Sequence, residues 1–101
     1  QDIEEDIYRI EKFTEQIKNK KQFAENDLVF YAVLKALENI GEAVKHIPDD
    51  LKQNYDIEWK KISGMRDIII HEYFGIDAEI IWDIIKNKLP KLKKAIQSIN
   101  S

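Results

Sequence analysis

At 101 residues the chain suits one domain around one core, and 44% hydrophobic with 35% charged residues fits a soluble globular protein. Three glycines and two prolines are too few for a turn-rich β fold, and the absence of cysteine excludes a disulfide framework and a thiolate metal site. No apolar run approaches the ~20 residues needed to span a bilayer, no signal peptide is visible, and a net charge of −3 disfavours gripping nucleic acid by overall positive potential, so RNA chemistry would need a local basic site or a basic partner.

Taken in chain order, Asp2 is a helix N-cap, and Ile3, Ile7, Ile10, Phe13 or Thr14, and Ile17 recur at helical spacing. They predict a first helix from about Ile3 to Asn19, ending before Lys20-Lys21. Asn26 or Asp27 caps a second helix. Its apolar residues, from Val29 and Phe30 through Leu34, Leu37 and Ile40 to Val44, cover more than one face, which marks it as the central helix. Gly41 sits inside it, where Ala would be about 1 kcal/mol better, and this points to a close approach by another backbone. Ile47-Pro48-Asp49-Asp50 stops the helix and starts a short one over about residues 49–54. A further helix runs roughly from Ile57 to Tyr73 and is broken by Gly75. Asp77 caps the next, which carries Ile80, Ile81, Ile84, Ile85 and Leu89 until Pro90 kinks or splits it. Leu92, Ala95, Ile96 and Ile99 continue the period to the end. The reading is a single all-α domain over residues 1–101, a helical bundle of four to five main helices with short connections.

Met65-Arg66-Asp67-Ile68-Ile69-Ile70-His71-Glu72-Tyr73 is the stretch where local rules break. On an ideal helix Ile62, Met65, Ile68, Ile69, Ile70 and Tyr73 form one broad apolar stripe. Arg66 falls inside it, about 20° from Tyr73 and about 60° from Ile69. A guanidinium among isoleucines is costly unless it is paired or placed at an interface. Arg66 and His71 lie about 140° apart, so one straight helix does not bring both to one phosphate. Either the helix ends near His71, or a second copy of the chain completes the site.

The chemistry of the pair suits RNA cleavage. A histidine titrates near neutral pH and serves as base for a 2′-hydroxyl. An arginine presents a fork to the phosphate oxygens as charge grows on them. The structural alternatives are that Arg66 pairs with Glu42 and that His71 is a helix-end histidine favoured by the dipole. Asp67 either orients a partner chain's histidine or is a solvated carboxylate, and Glu72 is a surface residue. His46 reads as a helix-end cation. No paired metal-binding spacing occurs. Lys86, Lys88, Lys91, Lys93 and Lys94 make a basic C-terminal run, read either as a solvated face or as a contact strip for RNA or an acidic partner. Trp59, Phe74 and Trp82 are read as core or dimer contacts.

Arginine, four residues, histidine, one residue, tyrosine resembles the R-x4-H-x-Y form of the HepT-like toxins among HEPN domains. The segments ENIGEAVKHIP, WKKISGMRDIIIHEYFGID and IWDIIKNKLPKLKKAI look like those of that family as well. The resemblance implies an HEPN-like bundle and a metal-independent endoribonuclease with Arg66 and His71 as its catalytic pair, shared between two protomers of a homodimer. It implies RNA as substrate, no cofactor, no membrane or DNA partner, and a cytoplasmic toxin. It also implies a minimal nucleotidyltransferase antitoxin that silences the chain by attaching AMP to Tyr73. Asp67 and Glu42 are supporting candidates. The alternative is a non-catalytic helical module that docks on a nucleotidyltransferase and assists its substrate binding.

Overall fold

A computed structural model describes residues 2–72 and 75–101. Helix α1 spans Ile3–Phe13, α2 Lys20–Glu25, α3 Asp27–Val44, α4 Asp49–Lys52, α5 Trp59–His71, α6 Ala78–Asp83 and α7 Leu89–Asn100, with a π-helical turn at Ile84–Lys88. Among the described residues there is no strand, and no helix is long and apolar enough to cross a membrane. The fold is the all-α bundle expected.

Each start has a local cause. Asp2 accepts from the N–H groups of Glu4 and Glu5, Asn26 from that of Val29 and Asp77 from that of Glu79, which satisfies donors that a helix leaves open. Helix α3 is central: Val33, Leu34, Leu37, Ile40 and Val44 are all fully buried. It packs α1 on one side and α5 on another. Helix α7 runs antiparallel to α1, with Glu4 near Asn100 at 3.3 Å and Glu11 paired with Lys93 at 2.9 Å.

Four expectations are corrected. The first helix ends at Phe13, well short of Asn19: Thr14 is its C-cap, donating both its N–H (3.0 Å) and its hydroxyl (2.8 Å) to the Ile10 carbonyl, after which the chain tightens into turns in which Glu15 reaches Lys12 and Ile17 reaches Thr14. The stretch read as a connection then forms α2, capped by Asn19, whose Phe23 is fully buried between Phe30 and Trp82. The short fourth helix stops at Lys52. The motif helix begins two residues later than expected and ends at His71, with Glu72 as its C-cap. Pro90 does split the last helix: lacking an N–H, it cannot continue the ladder, and the Leu89 N–H reaches back to the Ile84 carbonyl in a widened turn.

The crossing of α3 and α5 is tight at Gly41. A methyl group there would sit 3.0 Å from the Ile62 carbonyl oxygen and 3.1 Å from both the Arg66 backbone nitrogen and its Cβ. The close approach anticipated from the sequence is thus made by α5. Gly41→Ala gains helix propensity but presses on backbone that cannot rotate away. We expect it to lower stability by about 1–2 kcal/mol in urea unfolding; an unchanged midpoint would show that the crossing has slack.

The start of α5 is fixed to the π turn by Glu58, which bonds Lys88 at 2.7 Å and Lys61 at 2.9 Å. The hydrogen bonds from Lys88 and then Lys61 hold the Glu58 carboxyl down to about 2, and Glu58 in turn raises Lys88. A carboxyl lowered on folding stabilises the protein fully above about pH 4.5, and that contribution is lost as pH falls through about 2. Lys88→Met should therefore be less stable than the parent at pH 5, and the gap should narrow toward pH 2 in paired urea titrations. Because the pair is solvent-exposed the gap is small.

Candidate active site

Helix α5 carries both candidate residues because its inner face is apolar and its outer face is not. Ile62, Met65 and Ile69 are buried against the core. The single broad stripe expected from the sequence is divided, however: Ile68 is 55% and Ile70 43% exposed. Each lies about 100° from Ile69 around the helix, on opposite flanks, and the core covers neither.

Arg66 sits where the inner face ends. Its Cβ is held against Gly41 of α3, while its side chain remains 40% exposed. The Nε group lies 3.4 Å from Glu42 Oε2, and Nη1 lies 3.3 Å from Asp67 Oδ1. Both Arg66 with Glu42 and Arg66 with Asp67 are thus brought together within one chain. Glu42 also faces Lys45 at 3.5 Å and His46 at 4.0 Å. All these side chains are well exposed, so each contact is worth only about 0–1 kcal/mol. They orient the guanidinium without sequestering it, and a phosphate offering a bidentate, charge-assisted partner can displace Asp67.

His71 is the last residue of α5 and is exposed. A cation is favoured at that end by the helix dipole. No hydrogen bond or ion pair joins it to Arg66 or to Asp67 among the described residues. In a single chain the two candidates therefore occupy one helix but different flanks, as their angular separation requires. Ile70 and Ile68 stand on either side of His71. Tyr73 and Phe74 lie outside the described residues. Glu72 is exposed, as expected. His46 is exposed beside Glu42. Among the described residues no three His, Asp or Glu side chains gather to hold a metal ion. Trp82 and Trp59 are half-buried against the core. Trp59 donates its indole N–H to the Lys52 carbonyl at 3.1 Å.

The role of Gly41 as the seat of Arg66 was only half visible in the sequence. The glycine announced a close approach, but not that the approaching residue would be the arginine.

The family model described as Ribonuclease HepT-like matches residues 3–99. A Methanocaldococcus jannaschii protein named "Putative RNase MJ1380" is 39% identical over 99 residues, covering 97% of this chain and 90% of the relative. A Thermococcus cleftensis protein named "Probable ribonuclease HepT" is 40% identical over 100 residues, covering 98% of this chain and 90% of the relative. No solved structure matches the chain. With matches that run nearly from end to end of the sequence, the chain belongs to the ribonuclease HepT-like family.

Proposed function

We propose that the chain is a metal-independent endoribonuclease, the toxin half of a toxin–antitoxin pair. The observation that carries the reading is the setting of Arg66. Its backbone is fixed by the α3–α5 crossing, and its guanidinium is half-exposed and, among the described residues, held by two weak acidic contacts. His71 stands exposed at the end of the same helix.

In the proposed reaction a neutral His71 imidazole takes the proton of an RNA 2′-hydroxyl. The 2′-oxygen attacks the adjacent phosphorus while Arg66 stabilises the extra negative charge on the phosphate oxygens. The bond from phosphorus to the 5′-oxygen breaks, and that oxygen takes a proton from water or from a second imidazole. The products are a 2′,3′-cyclic phosphate and a 5′-hydroxyl. The angular gap between the two residues is met by a two-fold homodimer. Covering the outer half of α5 with a second copy buries Ile68 and Ile70 and brings one chain's Arg66 toward the other's His71.

Control is proposed to come from a minimal nucleotidyltransferase. It would transfer AMP from ATP to the Tyr73 hydroxyl and release pyrophosphate. The attached phosphate would satisfy Arg66 and occupy the place of RNA. The rival reading, a non-catalytic module docking on the nucleotidyltransferase, is favoured by the net charge of −3.

Arg66→Ala and His71→Ala should each lower RNA cleavage by about a hundredfold or more while leaving the helical circular dichroism unchanged. Activity that depends on magnesium, or that survives His71→Ala, contradicts the mechanism. Incubation with the partner enzyme, ATP and magnesium should add AMP at Tyr73, and Tyr73→Phe should remain a nuclease that escapes silencing. Mass spectrometry that finds the adduct on Tyr8, Tyr31 or Tyr55 instead would overturn the assignment.

A further inference from the structure

An acidic chain that handles RNA needs its positive charge concentrated somewhere, and the ion pairs show where. Lys12, Lys20, Lys35, Lys45 and Lys93 are each matched by a carboxylate. Seven lysines make no ion pair among the described residues; beside Lys18, Lys21 and Lys86 they are Lys52, Lys60, Lys91 and Lys94. The last four line two adjoining surface depressions. One, of about 370 Å³, has Tyr55 and Ile57 on one wall and Lys91 and Lys94 on the other. The other, of about 450 Å³, is flanked by Lys52 and Lys60 and shares Ile57 with the first.

Three acids line the strip, and one of them is committed. Glu58 is shared by Lys61 and Lys88, and Asp49 and Asp56 remain. The two depressions are thus lined by four lysines and three carboxylates, one of which, Glu58, is already held by Lys61 and Lys88. The strip also has a direction. Lys60 and His71 lie about 20° apart around α5 and about 16 Å apart along it. The basic strip therefore begins on the flank that His71 occupies and continues across the α4–α5 connection to α7.

Resting on the ribonuclease reading, we infer that this strip is the surface that holds the RNA chain beyond the scissile phosphate. It contacts successive phosphates through ammonium groups without reading sequence. A protein partner would call for a large exposed apolar anchor at the centre of the patch. Among the described residues the one exposed large hydrophobic that adjoins the strip is Leu51 of α4, 36% exposed, so RNA is the occupant the surface favours.

Two triple variants with the same charge change separate this strip from general electrostatics. Lys60→Ala/Lys91→Ala/Lys94→Ala empties it, whereas Lys18→Ala/Lys21→Ala/Lys35→Ala removes three lysines elsewhere. In the His71→Ala background, binding of a short unstructured fluorescent RNA is followed by anisotropy across a salt series. The strip variant should bind at least about tenfold more weakly, with the log–log salt slope reduced by about 2, and the control should lose less than about threefold. With His71 present, the strip variant should raise KM for the same RNA with little change in kcat, and leave cleavage of a dinucleotide unaltered. Equal losses in the two triples, or no RNA binding by the parent, overturn the inference; equal losses would assign the lysines to an acidic protein partner or to solvent. A parent that binds RNA through the strip but cleaves none would instead overturn the ribonuclease reading alone.

Discussion

The tight crossing of α3 and α5 is the constraint on which the site depends. Gly41 lets the Ile62 carbonyl and the Arg66 backbone approach to distances that a side chain would forbid. The same approach lets Ile40 and Val44 of α3 and Ile62 and Ile69 of α5 close over one core. Arg66 is placed by this packing, and among the described residues it makes no strong ion pair. Its long side chain leaves the core edge carrying its charge into solvent, where Glu42 and Asp67 meet it. A preorganised cation with weak, exchangeable partners can bind a phosphate without first breaking a costly buried pair.

Charge is organised by separation. Among the described residues half of the lysines are paired with carboxylates. Four of those that are not, Lys52, Lys60, Lys91 and Lys94, share the surface formed by α4, the start of α5 and α7. Glu58 belongs to that region but is committed to Lys61 and Lys88, so it ties α5 to the π turn instead of repelling an anionic strand. The π turn itself follows from Pro90, and the end of α7 that it starts carries Lys91 and Lys94 to the strip.

Much of this was legible in the sequence, for identifiable reasons. Helix α3 was recognisable because its apolar residues exceed one face, and its start because Asn26 is a good cap. Gly41 signalled a close crossing since a mid-helix glycine is otherwise a loss. The Arg66–Glu42 contact was foreseen as an alternative to catalysis, and the structure has both residues together at an exposed site where the contact leaves catalysis open. What was missed depended on tertiary choices. After Thr14 the backbone of α1 tightens into turns that periodicity does not register. Helix α2 is short, and its one deeply buried residue, Phe23, is stabilised by Phe30 and Trp82 from distant elements. The exposure of Ile68 and Ile70 was hidden because isoleucine content shows which residues avoid water, not which neighbour covers them. The C-terminal lysines were legible as either a solvated face or a contact strip, but periodicity could not show that Lys52 of α4 and Lys60 of α5 join Lys91 and Lys94 on one surface.

The central claim is that Arg66 of one chain works with His71 of another. Mixing separately purified Arg66→Ala and His71→Ala chains, after mild dissociation and reassociation, tests it directly. In a mixed dimer one shared site is intact and the other has lost both groups. Random pairing should restore about a quarter of the parent activity from two inactive preparations. A mixture that stays inactive, although mixed dimers are demonstrated by native mass spectrometry, would contradict a site composed from both protomers.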